Sequence, residues 1–158
     1  MTVTIISVGT LKEDYLVRAI DEYKKRLLAY AKVEEIVLKE EKIHNEDDQS
    51  EIARALDSEA DAILRALPKD AFKVAMCVEG VQFDSVALAK KLEDGAASNG
   101  KIALVIGSSH GLSPKVKGAC DLKLSVSKLT FPHQLMRAML FEILYRSFTI
   151  MKGKRYHK

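Results

Sequence analysis

The sequence predicts a three-layer α/β fold, in which helices cover both faces of a mostly parallel five-stranded sheet. Apolar runs of strand length alternate along the chain with amphipathic stretches of helical period. The first run, Thr2 to Val8, is almost continuously apolar, as is typical of a strand buried on both faces. The 158 residues, 47% of them apolar and 30% charged, correspond to a single domain over 1–158.

The first half of the chain provides two strands and two helices. After Gly9-Thr10 ends the first strand, apolar residues recur at spacings of three and four through the next twenty residues or so. An acidic, unpatterned stretch later in this half indicates an exposed loop. The expected elements are a helix over Lys12–Ala31, a strand over Val33–Leu38, the loop Glu40–Gln49, and a helix capped by Asp48 or Ser50 that ends near Leu67, before Pro68.

The second half repeats the alternation of strand and helix. Turn residues at Ser98-Asn99-Gly100 separate a helix from the strand that follows it. The expected elements are a strand over Phe72–Val78, a helix capped by Asp84 or Ser85 that runs through Ala97, a strand over Lys101–Ile106, and a short helix from Ser113-Pro114 to about Gly118.

The stretch from Leu124 to Phe148 changes its period at a proline. Leu122, Leu124 and Val126 alternate with polar residues, which indicates a fifth strand. After Pro132, which suits the first position of a helix, apolar residues recur at helical spacing: Leu135, Met136, Met139, Leu140, Ile143, Leu144 and Phe148. The short segment between strand and helix leaves main-chain polar groups unpaired at the carboxyl edge of the sheet, where open α/β sheets bind small ligands.

Three loops that follow late strands are expected to meet at this edge: Met76 to Gly80, Gly107 to Leu112, and Val126 to Phe131. They contain few acidic residues and many small or aliphatic ones, a composition that suits a ligand held by backbone amides between apolar walls. Gly107 to Gly111 also fits the G-x-S-x-G motif of hydrolases, with Ser109, Asp121 and His133 in triad order. That alternative is disfavoured because Leu112-Ser113-Pro114 delays the helix that a nucleophile elbow requires.

Charge is distributed unevenly along the chain. Residues 1–100 hold 14 Lys/Arg and 20 Asp/Glu, a net charge of −6, whereas residues 101–158 hold 11 Lys/Arg and two Asp/Glu, a net charge of +9. A basic segment of this kind favours a polyanionic partner, although a solvated basic face is the alternative. The tail, residues 152–158, adds Tyr156 and His157 to four basic residues, a combination that suits contact with a nucleic-acid base; a disordered basic end is the alternative.

The last helix is apolar on more than one face, since Phe141, Tyr145 and Phe148 widen its stripe. We expect a two-fold homodimer through this helix, the alternative being that both faces pack inside one monomer. No membrane span is expected, and MTVTIISVG is interpreted as a strand and not as a signal peptide, so a cytoplasmic location follows. Cys77 and Cys120 are expected to be buried thiols, and no metal site is expected.

LVIGSSHGL, LSVSKLTFPHQLMRAMLFEILYR and the terminal YHK together resemble the ribosomal RNA large subunit methyltransferase H family, a branch of the SPOUT, or trefoil-knot, methyltransferases. The resemblance spans essentially the whole chain. It implies an S-adenosylmethionine-dependent enzyme that methylates N3 of a pseudouridine in 23S ribosomal RNA, as a homodimer on the assembled ribosome, with S-adenosylhomocysteine as product. It also implies a knotted C-terminus.

Carried over by position, the resemblance implies cofactor contacts at Met76, Gly107, Val126, Ser127, Lys128, Leu129, Thr130 and Phe131. The family commonly has paired glycines where this chain has Gly107-Ser108, and a leucine where it has Met76. We further hypothesise that Tyr156 and His157 fold over the 126–131 segment, stack on the target base and help to remove the N3 proton, while Arg137 or Arg146 holds phosphate. The alternative function is a non-catalytic, basic RNA- or ribosome-binding module on the same fold.

Overall fold

A parallel sheet of five strands lies at the centre of the computed structural model, which describes residues 1–156. The strand order is β2-β1-β4-β3-β5, and every neighbouring pair is parallel. The elements are β1 (Thr2–Val8), α1 (Asp14–Leu27), β2 (Lys32–Leu38), α2 (Gln49–Ala66), β3 (Phe72–Val81), α3 (Ser85–Ala96), β4 (Lys101–Ile106), α4 (Pro114–Gly118), β5 (Leu122–Leu124) and α5 (His133–Met151). The predicted α/β class is confirmed, with a sheet that is wholly and not mostly parallel.

Helices pack on both faces of the sheet, as the alternation predicted. One face carries the larger core, in which Leu16, Leu92 and Phe141 bring α1, α3 and α5 onto side chains such as Ile5 and Leu104. The opposite face carries a smaller core beneath α2 and α4. Because β1 and β4 are covered on both faces, they are buried along almost their whole length.

Polar residues at the predicted positions start three of the helices. The Asp48 carboxylate accepts hydrogen bonds from the main-chain N–H groups of Ser50 and Glu51, and Asp84 accepts one from Ala87. The Ser113 hydroxyl accepts a bond from Val116 N–H, with Pro114 at the first helical position of α4. In α5 the expected position of Pro132 is one residue off, because the proline precedes the first helical residue.

The third strand is longer than its sequence pattern indicates. It continues past Val78 to Val81, where a register shift lets Val81 pair with Leu124 of β5 and lets Ser125 N–H donate to the Val81 carbonyl at 3.0 Å. Gly80 makes this close approach possible, since a Cβ at Gly80 would lie 2.7 Å from backbone atoms of Lys123 and Leu124. This extension places the segment after β5 directly beside the end of β3.

The final helix lies between α1 and α3, and this packing accounts for much of its wide apolar surface. Phe141 and Phe148 are almost fully buried within the monomer. The apolar residues on more than one face of α5, from which a dimer was predicted, are therefore explained by packing within one chain. The dimer and the knot stay predictions.

The hypothesis that Arg137 holds phosphate is wrong. Its side chain is only 7% exposed and forms an ion pair with Glu35, which also contacts Lys24 Nζ at 2.5 Å. One guanidinium nitrogen also donates to the Gly9 carbonyl at 3.4 Å. Arg137 thus joins α5 to β2 and to the end of β1, and it is unavailable to an external anion.

Candidate functional site

The carboxyl ends of β3, β4 and β5 enclose a cavity of about 350 Å³, here called the first cavity. This volume is within the range of roughly 300–1,000 Å³ that is usual for small-ligand sites. Among its lining residues are seven of the eight that the sequence assigned to a cofactor: Met76, Gly107, Val126, Ser127, Leu129, Thr130 and Phe131. The eighth, Lys128, is exposed and is not among the lining residues.

The glycine loop, residues 107–112, forms one wall and has a tight internal shape. Gly111 N–H donates to the Ser108 carbonyl at 2.9 Å, and Gly111 has φ of +81°, a conformation that favours glycine. A Cβ at Gly107 would lie 2.0 Å from the Gly111 carbonyl oxygen. Only glycine at position 107 is therefore compatible with this loop.

The bend, residues 126–131, forms the facing wall and is held by hydrogen bonds from serine side chains. The Ser125 hydroxyl donates to the Ser127 carbonyl at 3.0 Å, and the Ser127 hydroxyl accepts a bond from Leu129 N–H at 3.0 Å. Such local bonds fix a turn without help from the sheet. The remaining main-chain groups of the bend form no hydrogen bond with other residues in 1–156.

Several residues of this cavity lie outside the eight positions that the sequence assigned to a cofactor. Ile106, Leu124 and Met136 contribute apolar wall, and His133 lies at the start of α5. Glu79 and Lys117, also in the lining, form an ion pair with each other, and this bond lowers the pKa of the Glu79 carboxyl. The three-residue spacing of His133 and Met136 could have placed both on one face of the first turn of α5. The ion pair of Glu79 with Lys117 was not predictable, because the two residues are 38 positions apart in the sequence.

Arg146 and Tyr156, which were proposed to contact RNA, lie elsewhere. With their neighbours Glu142 and Tyr145 they form a surface at α5 and its C-terminal end, here called the α5 surface. Arg146 donates to Glu142 Oε1 from Nε at 3.0 Å and from Nη2 at 2.6 Å. Tyr156 donates its hydroxyl proton to the same carboxylate, and its ring lies 4.8 Å from the Arg146 guanidinium carbon. Burial and the bond to Glu142 raise the pKa of Tyr156, so its hydroxyl stays protonated near neutral pH.

Tyr156 does not fold over the bend within its own chain. It packs edge-on against Tyr145, with ring centroids 4.8 Å apart, and it is not among the residues lining the first cavity. Arg146 instead lines a second cavity of about 190 Å³, together with Phe83, Ser85 and Ser147. Both cavities are lined by Leu124 and Val126, so the chain at the end of β5 separates them. His157 lies outside the residues that the structure describes.

The hydrolase alternative is contradicted by the position of Asp121. Its carboxylate accepts a hydrogen bond from Lys73 N–H at 2.7 Å, at the start of β3. Ser109 and His133 lie at the opposite, carboxyl edge of the sheet, where they line the first cavity. Ser109 contacts the neighbouring His110 ring at 3.2 Å, and no triad forms.

The structure divides the basic residues of the last third into two groups. Five form ion pairs inside the protein: Lys101, Lys115, Lys117, Arg137 and Arg146. Five others form no ion pair with any residue in 1–156: Lys123, Lys128, Lys152, Lys154 and Arg155. Four of this second group lie in the bend or the tail, which leaves positive charge beside the first cavity and at the end of α5.

Two further predictions concern metals and cysteines. Within residues 1–156 no three metal-ligating side chains come together, and no helix is long and apolar enough to cross a membrane. Cys77 and Cys120 are free thiols that are partly buried, and burial raises the pKa of Cys120 to about 11. Both thiols are therefore protonated at neutral pH.

Comparison with known proteins gives one consistent result. Residues 1–157 match the family model described as "Predicted SPOUT methyltransferase". The chain is 46% identical over its whole length to "Ribosomal RNA large subunit methyltransferase H" of Shouchella clausii, all of which is covered. It is 45% identical to the protein of the same name from Caldicellulosiruptor bescii, over 99% of both chains.

A solved structure from work on "the 2-OH methylation of C/U34 on tRNA" has the same fold. The two superpose with a TM-score of 0.52 at 14% identity, over 97% of this chain and 98% of that chain. At this identity the likeness concerns the fold alone.

Proposed function

This chain belongs to the SPOUT methyltransferase family, and from that premise we propose that it binds S-adenosylmethionine and methylates N3 of a pseudouridine in 23S ribosomal RNA. The observation that carries the proposal is the first cavity, in which the ends of three adjacent strands bring together seven residues assigned to the cofactor from sequence. Its position at the carboxyl edge of a parallel sheet is the usual place for a ligand in this fold class.

The lining of the first cavity fits this cofactor. Main-chain groups of the bend and of the glycine loop offer donors and acceptors to the adenine and ribose, and Met76, Ile106 and Leu112 offer apolar contact. A Cβ at Gly107 would collide with the Gly111 carbonyl in this wall, which accounts for glycine at position 107. Glu79 and Lys117 place one negative and one positive charge at the lining, which suits the amino and carboxylate groups of the methionine part.

When bound, S-adenosylmethionine would supply an electrophilic sulfonium methyl for N3, whose proton would pass to a base, and S-adenosylhomocysteine would be the other product. The task of the chain is to place N3 in line with that methyl and to exclude water. We assign Arg146 and Tyr156 to holding the acceptor nucleotide, because one cationic group and one ring lie together beside the second cavity. Because the Tyr156 hydroxyl stays protonated, its part is contact and not proton removal; His157 is the proposed aid to proton removal.

Ribosomal RNA is the proposed acceptor because the unpaired basic residues are concentrated near these sites. Lys128 lies in the bend, and Lys152, Lys154 and Arg155 lie in the tail. Charges of this kind neutralise phosphates and release counterions. We propose that the acceptor is 23S rRNA within the assembled ribosome, in the cytoplasm.

A homodimer through α5 is part of the proposal. Tyr23 of α1, Tyr30 just after α1 and Tyr145 of α5 form a half-buried aromatic cluster, in which the Tyr145 ring centroid lies 6.0–6.1 Å from the other two. Half-buried aromatic residues are typical of protein interfaces. Sedimentation velocity tests this assembly: a monomer at micromolar concentration would contradict it.

Transfer of a labelled methyl group to ribosomes that lack the modification tests the function. We expect label in 23S rRNA, with mass spectrometry locating one added methyl at N3 of a pseudouridine. Free 23S rRNA serves as the comparison for the assembled ribosome and should accept less label. Binding to ribosomes without transfer, and without any change of melting temperature on addition of S-adenosylmethionine, would favour the non-catalytic module instead.

A further inference from the structure

Glu59 is a buried carboxylate that the proposed reaction does not use directly. It lies on α2, is 4% exposed, and forms no ion pair with any lysine, arginine or histidine among residues 1–156. Burial raises its pKa. A carboxylate buried without a cation is costly unless its oxygens are hydrogen-bonded, so its partners are informative.

Both oxygens of Glu59 have a partner, and the two partners lie in different loops. Oε2 accepts the hydroxyl proton of Ser108 at 2.9 Å, a bond that is itself buried. Oε1 accepts Glu41 N–H at 3.0 Å, and Ser58 of the same helix donates to the Glu41 carboxylate. Glu59 therefore joins the loop that follows β2 to the glycine loop that follows β4.

Ser108 is the point at which this link reaches the first cavity. It lines that cavity and is only 6% exposed, and its carbonyl closes the turn by accepting Gly111 N–H. The glycine loop is thus stiff internally, since Gly107 and Gly111 fix its shape. Leu112 anchors its end by packing in the smaller core, and the Ser108 hydroxyl supplies its hydrogen bond to α2.

We propose that Glu59 is a positioning residue for the cofactor: through Ser108 it fixes the glycine loop at the distance from the bend that S-adenosylmethionine requires. The inference rests on the proposed function. In this proposal α2, which lies on the opposite face of the sheet from α5, contributes to affinity for the methyl donor and not to contact with RNA.

Four variants of the full chain test the link, with affinity for S-adenosylmethionine measured by calorimetry and methyl transfer measured on ribosomes. Glu59→Met keeps the volume and removes both acceptors, Ser108→Ala removes the donor, and the double variant removes both partners. Glu59→Gln retains an acceptor for Glu41 N–H and offers a donor to the Ser108 oxygen. Glu93→Gln, at an exposed glutamate on α3, is the matched control.

We expect Glu59→Met and Ser108→Ala each to weaken cofactor binding about tenfold, and the double variant to bind no more weakly than Glu59→Met, because the pair acts as one unit. KM for the cofactor should rise while kcat at saturation is unchanged, and Glu59→Gln should restore affinity. Equal affinity in wild type and all variants, with only the melting temperature lowered, would show a purely structural role and overturn the inference. A wild-type chain that binds no S-adenosylmethionine overturns the proposed function itself, which distinguishes the two failures.

Discussion

The first cavity and the α5 surface are built from different parts of the chain. The cavity depends on main-chain groups, two glycines and apolar walls, whereas the α5 surface depends on the side chains of Glu142, Arg146 and Tyr156. Because the two sites share so little, donor binding and acceptor binding should fail separately. Changes to backbone geometry should abolish donor binding, and changes to side chains on α5 should impair transfer alone.

The largest effect is expected from Gly107→Ala. The added methyl group would lie 2.0 Å from the Gly111 carbonyl oxygen, so the glycine loop must move. Affinity for S-adenosylmethionine should fall about a hundredfold or more, since displacements near 1 Å in such sites have effects of that size. Calorimetry measures it, with Gly118→Ala as control, because nothing lies within 4 Å of a Cβ at Gly118. Normal affinity in Gly107→Ala would show that the loop is not part of the site.

Truncation after Lys152 should have the opposite signature. It removes Tyr156 with the rest of the tail and leaves every residue that lines the first cavity. We expect unchanged cofactor affinity and loss of methyl transfer to ribosomes. Tyr156→Phe, which keeps the ring and loses the bond to Glu142, should retain part of that activity, with a loss of about threefold to tenfold. A truncated chain with normal turnover would remove the tail from the mechanism.

Two arginines of α5 differ in burial, and their alanine variants should differ in stability and activity. Arg137 is buried against Glu35, and its replacement by alanine should lower the free energy of unfolding by about 1.5–3 kcal/mol, because Glu35 loses a buried charged hydrogen-bond partner while its ion pair with Lys24 remains. Arg146 pairs with Glu142 at a half-exposed position, and Arg146→Ala should cost about 0–1 kcal/mol. Urea denaturation measures both. Arg146→Ala should nevertheless lower the rate of methyl transfer to ribosomes, although its stability is nearly that of the wild type. A variant with full activity would contradict the proposed contact of Arg146 with the acceptor.

The smallest effect is expected at Lys128. This side chain is exposed and is not among the residues that line the first cavity, so Lys128→Ala should bind S-adenosylmethionine as wild type does. Binding to 23S rRNA should weaken modestly, and the slope of log affinity against log salt should fall by about one. An unchanged slope would show that Lys128 does not contact phosphates. Weaker binding of S-adenosylmethionine would support the cofactor contact that the sequence suggested for Lys128.

Local sequence patterns predicted most of the fold. Alternation of strand and helix, the caps at Asp48, Asp84 and Ser113, and the change of period at Pro132 are signals within a few residues of each other. The extension of β3 to Val81 was not predictable in this way, since it depends on pairing with Leu124. The breadth of the apolar stripe on α5 likewise could not distinguish a partner subunit from α1 and α3 of the same chain.

The site was predictable where it consists of loops that follow strands, because parallel strands bring such loops to one edge. Its side-chain partnerships were not. Arg137 meets Glu35 across 102 residues of sequence, and Ser108 meets Glu59 across 49. No local pattern encodes those distances, so the basic residues available to RNA could be separated from those in internal ion pairs only with the fold in hand.

A crystal structure of the chain grown with S-adenosylhomocysteine would show whether the first cavity is the methyl-donor site. We expect the ligand between the bend and the glycine loop, with its polar groups bonded to main-chain atoms of residues 126–131 and with Met76 against it. Density for the ligand elsewhere, or crystals of the complex in which that cavity holds no ligand, would show that the first cavity is not that site.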